Sequence, residues 1–445
     1  MLVRELSLPF EPAAHFARLF AAHEDGFLLE SAEGPERLAR YSILGLDPVG
    51  KVRLEGDRLR IDGELPAHQA DEPPLEYLRR LLALHPTTDH GYRYLGGLVG
   101  YSSYELTERL ERLTPRAAGA GFPTFEYGLY LDGLVYDRLT RRVVYFSHGK
   151  DRSAELAARA LEKADVPAPH FGAPKPNVDA ARFEKMVENA KHHITEGDIF
   201  QVVLSRRFDL DVSGDLLGYY EALKKANPSP YMYYLKNGER KIVGASPEML
   251  VRVDGGRVET FPIAGTRPMG RTLVETEMLA KELLADAKEA AEHAMLVDLA
   301  RNDVGRVAEF GTVKVSESRK IERFSHVQHL VSKVEARLRP GRSAIDAFAA
   351  LFPAGTVSGA PKVRAMELIR ELEADARGPY AGAVGYFSFN GNADAAIAIR
   401  TLSAHGTKAS VQAGAGIVHD SVPEAETRET EAKARGLLAV AEAFR

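Results

Sequence analysis

Four short turns constrain this chain more than any other feature of its sequence. Asn237-Gly238, Asp254-Gly255, Asn390-Gly391 and His405-Gly406 each separate two strand-like runs. A two-residue hairpin turn needs positive φ, which Asn, Asp and Gly tolerate best, so such dipeptides close antiparallel hairpins. The flanking runs are Tyr231–Leu235 with Lys241–Val243, Met249–Val253 with Arg257–Phe261, Gly382–Phe389 with Ala393–Thr401, and Thr401 running through His405-Gly406 to Val411. Helical patterns lie among and beyond them: Ala180–Glu196 with Gly197 as its stop, Leu273–Leu299, Ala344–Ala350, Lys362–Leu372 and Ala425–Ala443. Hairpins mixed with helices predict an α+β fold of antiparallel sheets faced by helices, not a βαβ repeat.

Pro167, Pro169, Pro174 and Pro176 crowd a short polar stretch, which predicts an extended connector, since proline at that density cannot continue a helix. This divides the chain into an N-terminal unit (1–164), a linker (165–178) and a second unit (179–445). Two strand-like runs, Tyr127–Tyr136 and Arg142–Ser147, lie in the first unit, and Glu155–Lys163 reads as the short amphipathic helix that closes it. A length of 445 residues suits two or three domains at roughly 150 residues each. With 58 basic and 63 acidic side chains, the net charge of −5 offers no electrostatic reason to bind nucleic acid or an anionic membrane. No apolar run approaches a membrane span, and Met-Leu-Val-Arg-Glu-Leu at the start lacks an apolar signal core, so a cytoplasmic protein is expected. The absence of cysteine excludes disulfides, thiolate metal sites and a cysteine nucleophile from this sequence.

Two carboxylate pairs share one spacing. Glu289 and Glu292, and likewise Glu426 and Glu429, stand i, i+3 on a helical pattern, so each pair shares a face. Carboxylates from both helices suit a hard cation such as Mg²⁺, although most helical Glu pairs are simply solvated. Glycines at Gly265, Gly355, Gly414 and Gly416 end strand-like runs, where bare backbone can approach an anion or merely turn. Arg400, read as the end of a strand, could clamp a carboxylate with Tyr380 as a hydroxyl partner. His329 lies in an apolar segment and Glu248 at a strand start; both could serve acid–base work, although residues in such positions are more often structural. Neither a Rossmann glycine pattern nor a P-loop is present.

Six segments follow one another in order: Gly244-Ala245-Ser246-Pro247-Glu248-Met249-Leu250, Pro262 to Pro268, Leu296 to Asp303, Val327 to Ser332, Phe352 to Lys362, and Gln412 to Val418. Together they resemble the chorismate-utilising enzymes. The first unit, with Phe27-Leu28-Leu29-Glu30-Ser31, Arg40-Tyr41-Ser42 and Leu44-Gly45-Leu46-Asp47-Pro48, is similar to that of anthranilate synthase component I. The resemblance implies two antiparallel sheets packed as a sandwich between helices, in α/β/β/α layers. It also implies that Glu292 and Glu429 bind Mg²⁺ directly, with Glu289 and Glu426 acting through water. Chorismate would be held by Gly265, Thr266, Thr356, Tyr380, Arg400, Lys433 and the backbone of Gly414, Ala415 and Gly416. Glu248 would protonate the departing C4 hydroxyl, and His329 would assist at C2.

Two positions separate the members of this family. Water-adding relatives carry a lysine where this chain has Gln201, and aminodeoxychorismate synthases typically carry one where it has Ala264. The pair Gln201 and Ala264 therefore points to amination by ammonia, which needs no base to become nucleophilic. With no cysteine of its own, the chain would take ammonia from glutamine through a separate amidotransferase subunit, component II, in a heterotetramer. The resemblance further implies an inhibitory L-tryptophan site formed by Glu30, Ser31, Asn227, Pro230, Tyr231, Met232, Val384 and Tyr386. An aminodeoxychorismate synthase component I, and a non-catalytic amino-acid-binding regulator, are the alternatives.

Overall fold

The computed structural model describes residues 1–8, 12–32, 40–87, 91–111, 113–114, 121–162, 166–323 and 327–445. Its backbone forms two large sheets of 13 and 11 strands, and the paired strands are antiparallel throughout the described residues. All four predicted hairpins are present, pairing Tyr231–Asn237 with Arg240–Ser246, Met249–Asp254 with Arg257–Thr260, Ala383–Ser388 with Ala393–Ile397, and Thr401–His405 with Lys408–Ile417.

Alternation along each strand sorts side chains into layers. In neighbouring strands Phe27, Ile43, Tyr233 and Leu235 point inward, where they meet Val99, Tyr130, Val384 and Tyr386 of the other sheet. Leu28, Leu44, Met232 and Tyr234 point outward beneath helices contributing Phe20, Tyr220 and Leu437. Helices Pro74–Leu82 and Ala344–Leu351 cover the second sheet through Tyr77 and Phe348, while Lys362–Leu372 packs against strand Gln201–Ser213 of the first through Ile369. The result is the expected α+β sandwich of helix, sheet, sheet and helix layers.

Both sheets run across the division at the linker. Asp25–Glu30 pairs with Tyr231–Asn237, and Gly97–Ser102 pairs with Ala383–Ser388. The linker is extended, as its prolines require, with His170–Phe171 and Lys175–Pro176 added to strand Gln201–Ser213. The end of the predicted helix at Lys163 and the boundary at 164/165 lie outside the described residues; the helix itself spans Ser153–Arg159. No helix among the described residues is long and apolar enough to cross a membrane.

Three predicted elements differ. The single helix Leu273–Leu299 is two, Leu273–Ala285 and Ala287–Gly305. Asp286 leaves the helical region (φ −68°, ψ 112°) and its carboxylate accepts the N–H of Lys288 and Glu289, capping the second helix. The run Tyr127–Tyr136 is two strands, Phe125–Tyr130 and Asp132–Asp137, lying in different sheets. Strand Ala393–Ile397 stops before Arg400, because the chain crosses between sheets there with Arg400 at φ +52°.

Candidate functional site

A broad cleft of about 2190 Å³, its open mouth included, gathers residues from Gln201 to Lys433. Strand Ile263–Pro268 supplies Gly265 and Thr266, strand Val327–Arg337 supplies His329, and the turn Gly355–Val357 supplies Thr356. Glu289 and Glu292 enter from helix Ala287–Gly305; Glu426, Glu429 and Lys433 enter from helix Pro423–Glu442. Glu248, Tyr380, Arg400, Gly414 and Gly416 complete the walls. Ala415 is not among them. Between two inward-facing glycines its side chain falls on the opposite face of the strand, fully buried in the core.

Close approach explains two of the glycines. A Cβ on Gly414 would stand 2.6 Å from the Tyr380 hydroxyl, and one on Gly416 would stand 2.8 Å from Gln201 Nε2. Either side chain would fill the space between strand and wall.

Glu248 is 9% exposed, and its Oε1 accepts a hydrogen bond from Thr356 Oγ1 at 2.8 Å. Burial pushes its carboxyl up to about 7, against the Thr356 hydroxyl and the Lys433 charge, which lower it. His329 Nδ1 lies 3.1 Å from the Gly265 carbonyl and 3.0 Å from Thr266 Oγ1. A carbonyl can only accept, so this geometry assigns the ring proton to Nδ1 and makes Nε2 the basic nitrogen. Burial lowers the imidazole pKa and Arg400 lowers it further, while the Gly265 bond opposes them; the neutral ring is favoured.

Acidic and basic groups meet in the cleft. Arg400 donates to the Lys433 carbonyl, while Lys433 Nζ donates to the Gly414 carbonyl at 2.9 Å and pairs with Glu429 at 2.7 Å. Glu289 pairs with Arg267 at 3.3 Å, and Gln201 Nε2 donates to Glu292 at 3.4 Å. Burial raises the carboxyl pKa of Glu292, and Glu289 and Glu429 add to it; burial and Glu429 likewise raise Glu426. The four acids thus face one cleft and repel one another there. Among the described residues no group of three or more His, Cys, Asp or Glu side chains stands close enough to hold a metal ion. Lys288, Asp420 and Ser421 also line the cleft and carry no distinguishing sequence signal, whereas Gln412, a further lining residue, opens the last of the six segments.

A second cavity of about 510 Å³, solvent at its mouth included, lies between the sheets. Glu30, Ser31, Tyr231, Met232, Val384 and Tyr386 line it; Asn227 and Pro230 do not. The Glu30 carboxylate is on the outer side of its sheet, taking hydrogen bonds from Tyr220 and from Lys224 at 2.9 Å. Asp394 lines the cavity instead, accepting from Tyr231 at 3.0 Å and from Arg252 at 2.8 Å. Tyr41 and Arg93 are further lining residues not anticipated from the sequence.

The model of the family described as chorismate binding enzyme matches residues 24–439. Anthranilate synthase component 1 of Methanothermobacter marburgensis is 48% identical over 96% of this chain and 92% of that protein. The Aquifex aeolicus protein of the same name is 42% identical over 96% of this chain and 91% of its own length. Among solved structures, anthranilate synthase component I from Streptococcus pneumoniae superposes with a TM-score of 0.79 at 38% identity, covering 91% of this chain and 93% of that one. The menaquinone-specific isochorismate synthase of Escherichia coli shares the fold, with a TM-score of 0.76 at 21% identity over 99% of this chain and 94% of that one. With a cleft built from the six ordered segments and a family match over nearly its whole length, the chain belongs to the chorismate binding enzyme family.

Proposed function

We propose that this chain is the chorismate-aminating component of an anthranilate synthase, working in the cytoplasm at the first committed step of tryptophan synthesis. One observation carries the reading. Glu248, His329, Arg400 and four carboxylates line a single cleft in which Gln201 and Ala264 stand where lysines would direct the chemistry to water or to a covalent intermediate.

Chorismate carries two carboxylates. Arg400 and the Tyr380 hydroxyl take the enolpyruvyl carboxylate, while Lys433 and the backbone at Gly414–Gly416 take the ring carboxylate. Ammonia forms its bond to C2 as the C4–O bond breaks, and the proton on Glu248 leaves with that oxygen as water. The surplus proton of the new C2 ammonium group restores Glu248. His329 Nε2 then receives the C2 proton as the C3–O bond breaks and the ring becomes aromatic; the departing enolate takes a proton at its methylene carbon to become pyruvate. Aromatisation makes this last step strongly downhill.

The carboxylate oxygens of Glu292 and Glu429, backed by Glu289 and Glu426, are hard donors suited to Mg²⁺, and their mutual repulsion is what a bound cation would relieve. When bound, Mg²⁺ would offset the substrate's negative charge and orient its ring carboxylate.

The test is incubation with chorismate, Mg²⁺ and an ammonium salt, with anthranilate followed by fluorescence and mass. Anthranilate is expected. An aminodeoxychorismate or isochorismate product would overturn the reading. Because the chain has no cysteine, glutamine should support no turnover until a separate amidotransferase subunit is added, and we propose that the two assemble as a heterotetramer. Glutamine-dependent turnover by the rigorously purified single chain would refute that division of labour.

The second cavity is proposed as an L-tryptophan site, and the first 164 residues as the regulatory part that builds one side of it. Val384 and Tyr386 line it on a strand that begins three residues beyond Tyr380, so a ligand there bears on the catalytic wall. Tryptophan would favour a state with lower chorismate affinity. It is expected to inhibit competitively with chorismate, and Ser31→Arg should relieve inhibition while sparing turnover. Calorimetry showing no tryptophan binding to the wild-type chain, or undiminished inhibition of the variant, would count against this site.

A further inference from the structure

Arg377 lies behind the cleft, outside the set of lining residues, with its side chain 1% exposed. Four of the five guanidinium donors are used within one plane. Nη2 donates to the Val203 carbonyl at 2.7 Å and to Glu373 Oε1 at 2.7 Å; Nη1 donates to the Val357 carbonyl at 2.8 Å; Nε donates to Glu373 Oε2 at 2.8 Å. The same group lies 5.6 Å from the centre of the Tyr380 ring and 4.6 Å from that of Tyr104. Val203, Val357 and Tyr380 each line the cleft, and Val357 follows Thr356, the residue bonded to Glu248. The backbone that carries Arg377 is itself held from the N-terminal part of the chain. Glu105 accepts the N–H of Arg377 at 2.8 Å and of Gly378 at 3.1 Å, and Tyr104 N–H donates to the Gly378 carbonyl at 2.8 Å.

We infer that Arg377 is a positioning residue for the reaction, one planar group tying together three separate walls of the chorismate cleft. Lysine cannot replace it, because a point ammonium on a flexible stem cannot serve two carbonyls and both oxygens of a carboxylate in one plane. Loosening the tie shifts the Tyr380 hydroxyl and the Thr356–Glu248 pair relative to each other. A displacement of about 1 Å in such a site costs up to about 100-fold.

The inference rests on the cleft being the chorismate site, and the variants separate the two claims. Arg377→Lys is expected to raise the chorismate KM roughly 10- to 100-fold, with the ammonia KM unchanged. Arg240→Lys is the control, since Arg240, its side chain 15% exposed, makes a two-point pair with the fully buried Glu126 at 2.8 Å but lines no part of the cleft. It should lower the melting temperature and leave the chorismate KM alone. Glu105→Gln, a milder loosening of the same loop, should raise the chorismate KM by a smaller factor and covers the case in which Arg377→Lys fails to fold. A chorismate KM that stays at the wild-type value in the folded Arg377→Lys protein, or in Glu105→Gln, overturns the positioning role. Arg400→Lys reports on the cleft itself: if its chorismate KM does not rise, the assignment of the substrate site fails, independently of Arg377.

Discussion

Glu248→Gln is expected to lower kcat with chorismate and ammonia by about 10²- to 10⁴-fold, the usual contribution of a positioned acid, with little change in chorismate affinity. Glutamine keeps the shape and can still accept the Thr356 hydroxyl, but it has no proton to deliver to the leaving oxygen. A pH signature accompanies the loss. The active form of an acid is the protonated one, and burial holds the Glu248 carboxyl near 7. At constant free ammonia, wild-type kcat/KM should therefore be highest below about 7 and decline as pH rises through it. That limb should be absent from the residual activity of Glu248→Gln. A variant that turns over at the wild-type rate, or one that retains the same limb, would exclude Glu248 as the acid.

Glu292→Gln and Glu429→Gln should each reduce Mg²⁺-dependent turnover by more than about 100-fold, whereas Glu289→Gln and Glu426→Gln should cost roughly 10- to 100-fold, as residues acting through a bound water do. Calorimetric titration with Mg²⁺ supplies a second readout, with binding lost in the first two variants and weakened in the others. Fold damage is separable from this effect. Glu292 has its carboxyl pKa raised by burial and by neighbouring acids, so its negative charge costs the folded chain stability relative to the unfolded one. Removing that charge should leave the metal-free protein melting no lower than wild type. Unchanged turnover in all four variants would show that these carboxylates hold no metal, and equal losses in all four would erase the distinction between direct and water-mediated ligands.

Several features of the molecule were legible before any coordinates because their causes are local. Turn dipeptides such as Asn390-Gly391 favour a hairpin through local backbone angles, here Gly391 at φ +83°, and all four hairpins formed. The break at Asp286 is local too, although the helical pattern runs on through it. Asp286 followed by Glu289 three positions on is a helix-start signature, and helix propensity on both sides concealed it. It decides where Glu289 and Glu292 point, since the second helix begins its own turn there.

Other features depend on residues far apart in the chain. Strand alternation shows that Leu29 and Glu30 face opposite ways, but not that Glu30 turns to Lys224 on the helix side while Asp394, 364 positions later, reaches the cavity. Extending the strand reading to Arg400 failed because period-2 patterning continues through a point where the chain changes sheets. Sequence alone determined the α+β class, the hairpins, the family resemblance and the identity of the groups able to do acid–base and metal chemistry. Only the tertiary structure decided that strands on either side of the proline-rich linker share both sheets, that Glu289, Glu292 and Glu429 pair with Arg267, Gln201 and Lys433, and that Arg377 bonds the cleft wall at Val203 from behind. The reason is physical: turns and caps are fixed by neighbouring residues, whereas strand pairing, burial and the orientation of a side chain depend on distant segments that meet only when the chain folds.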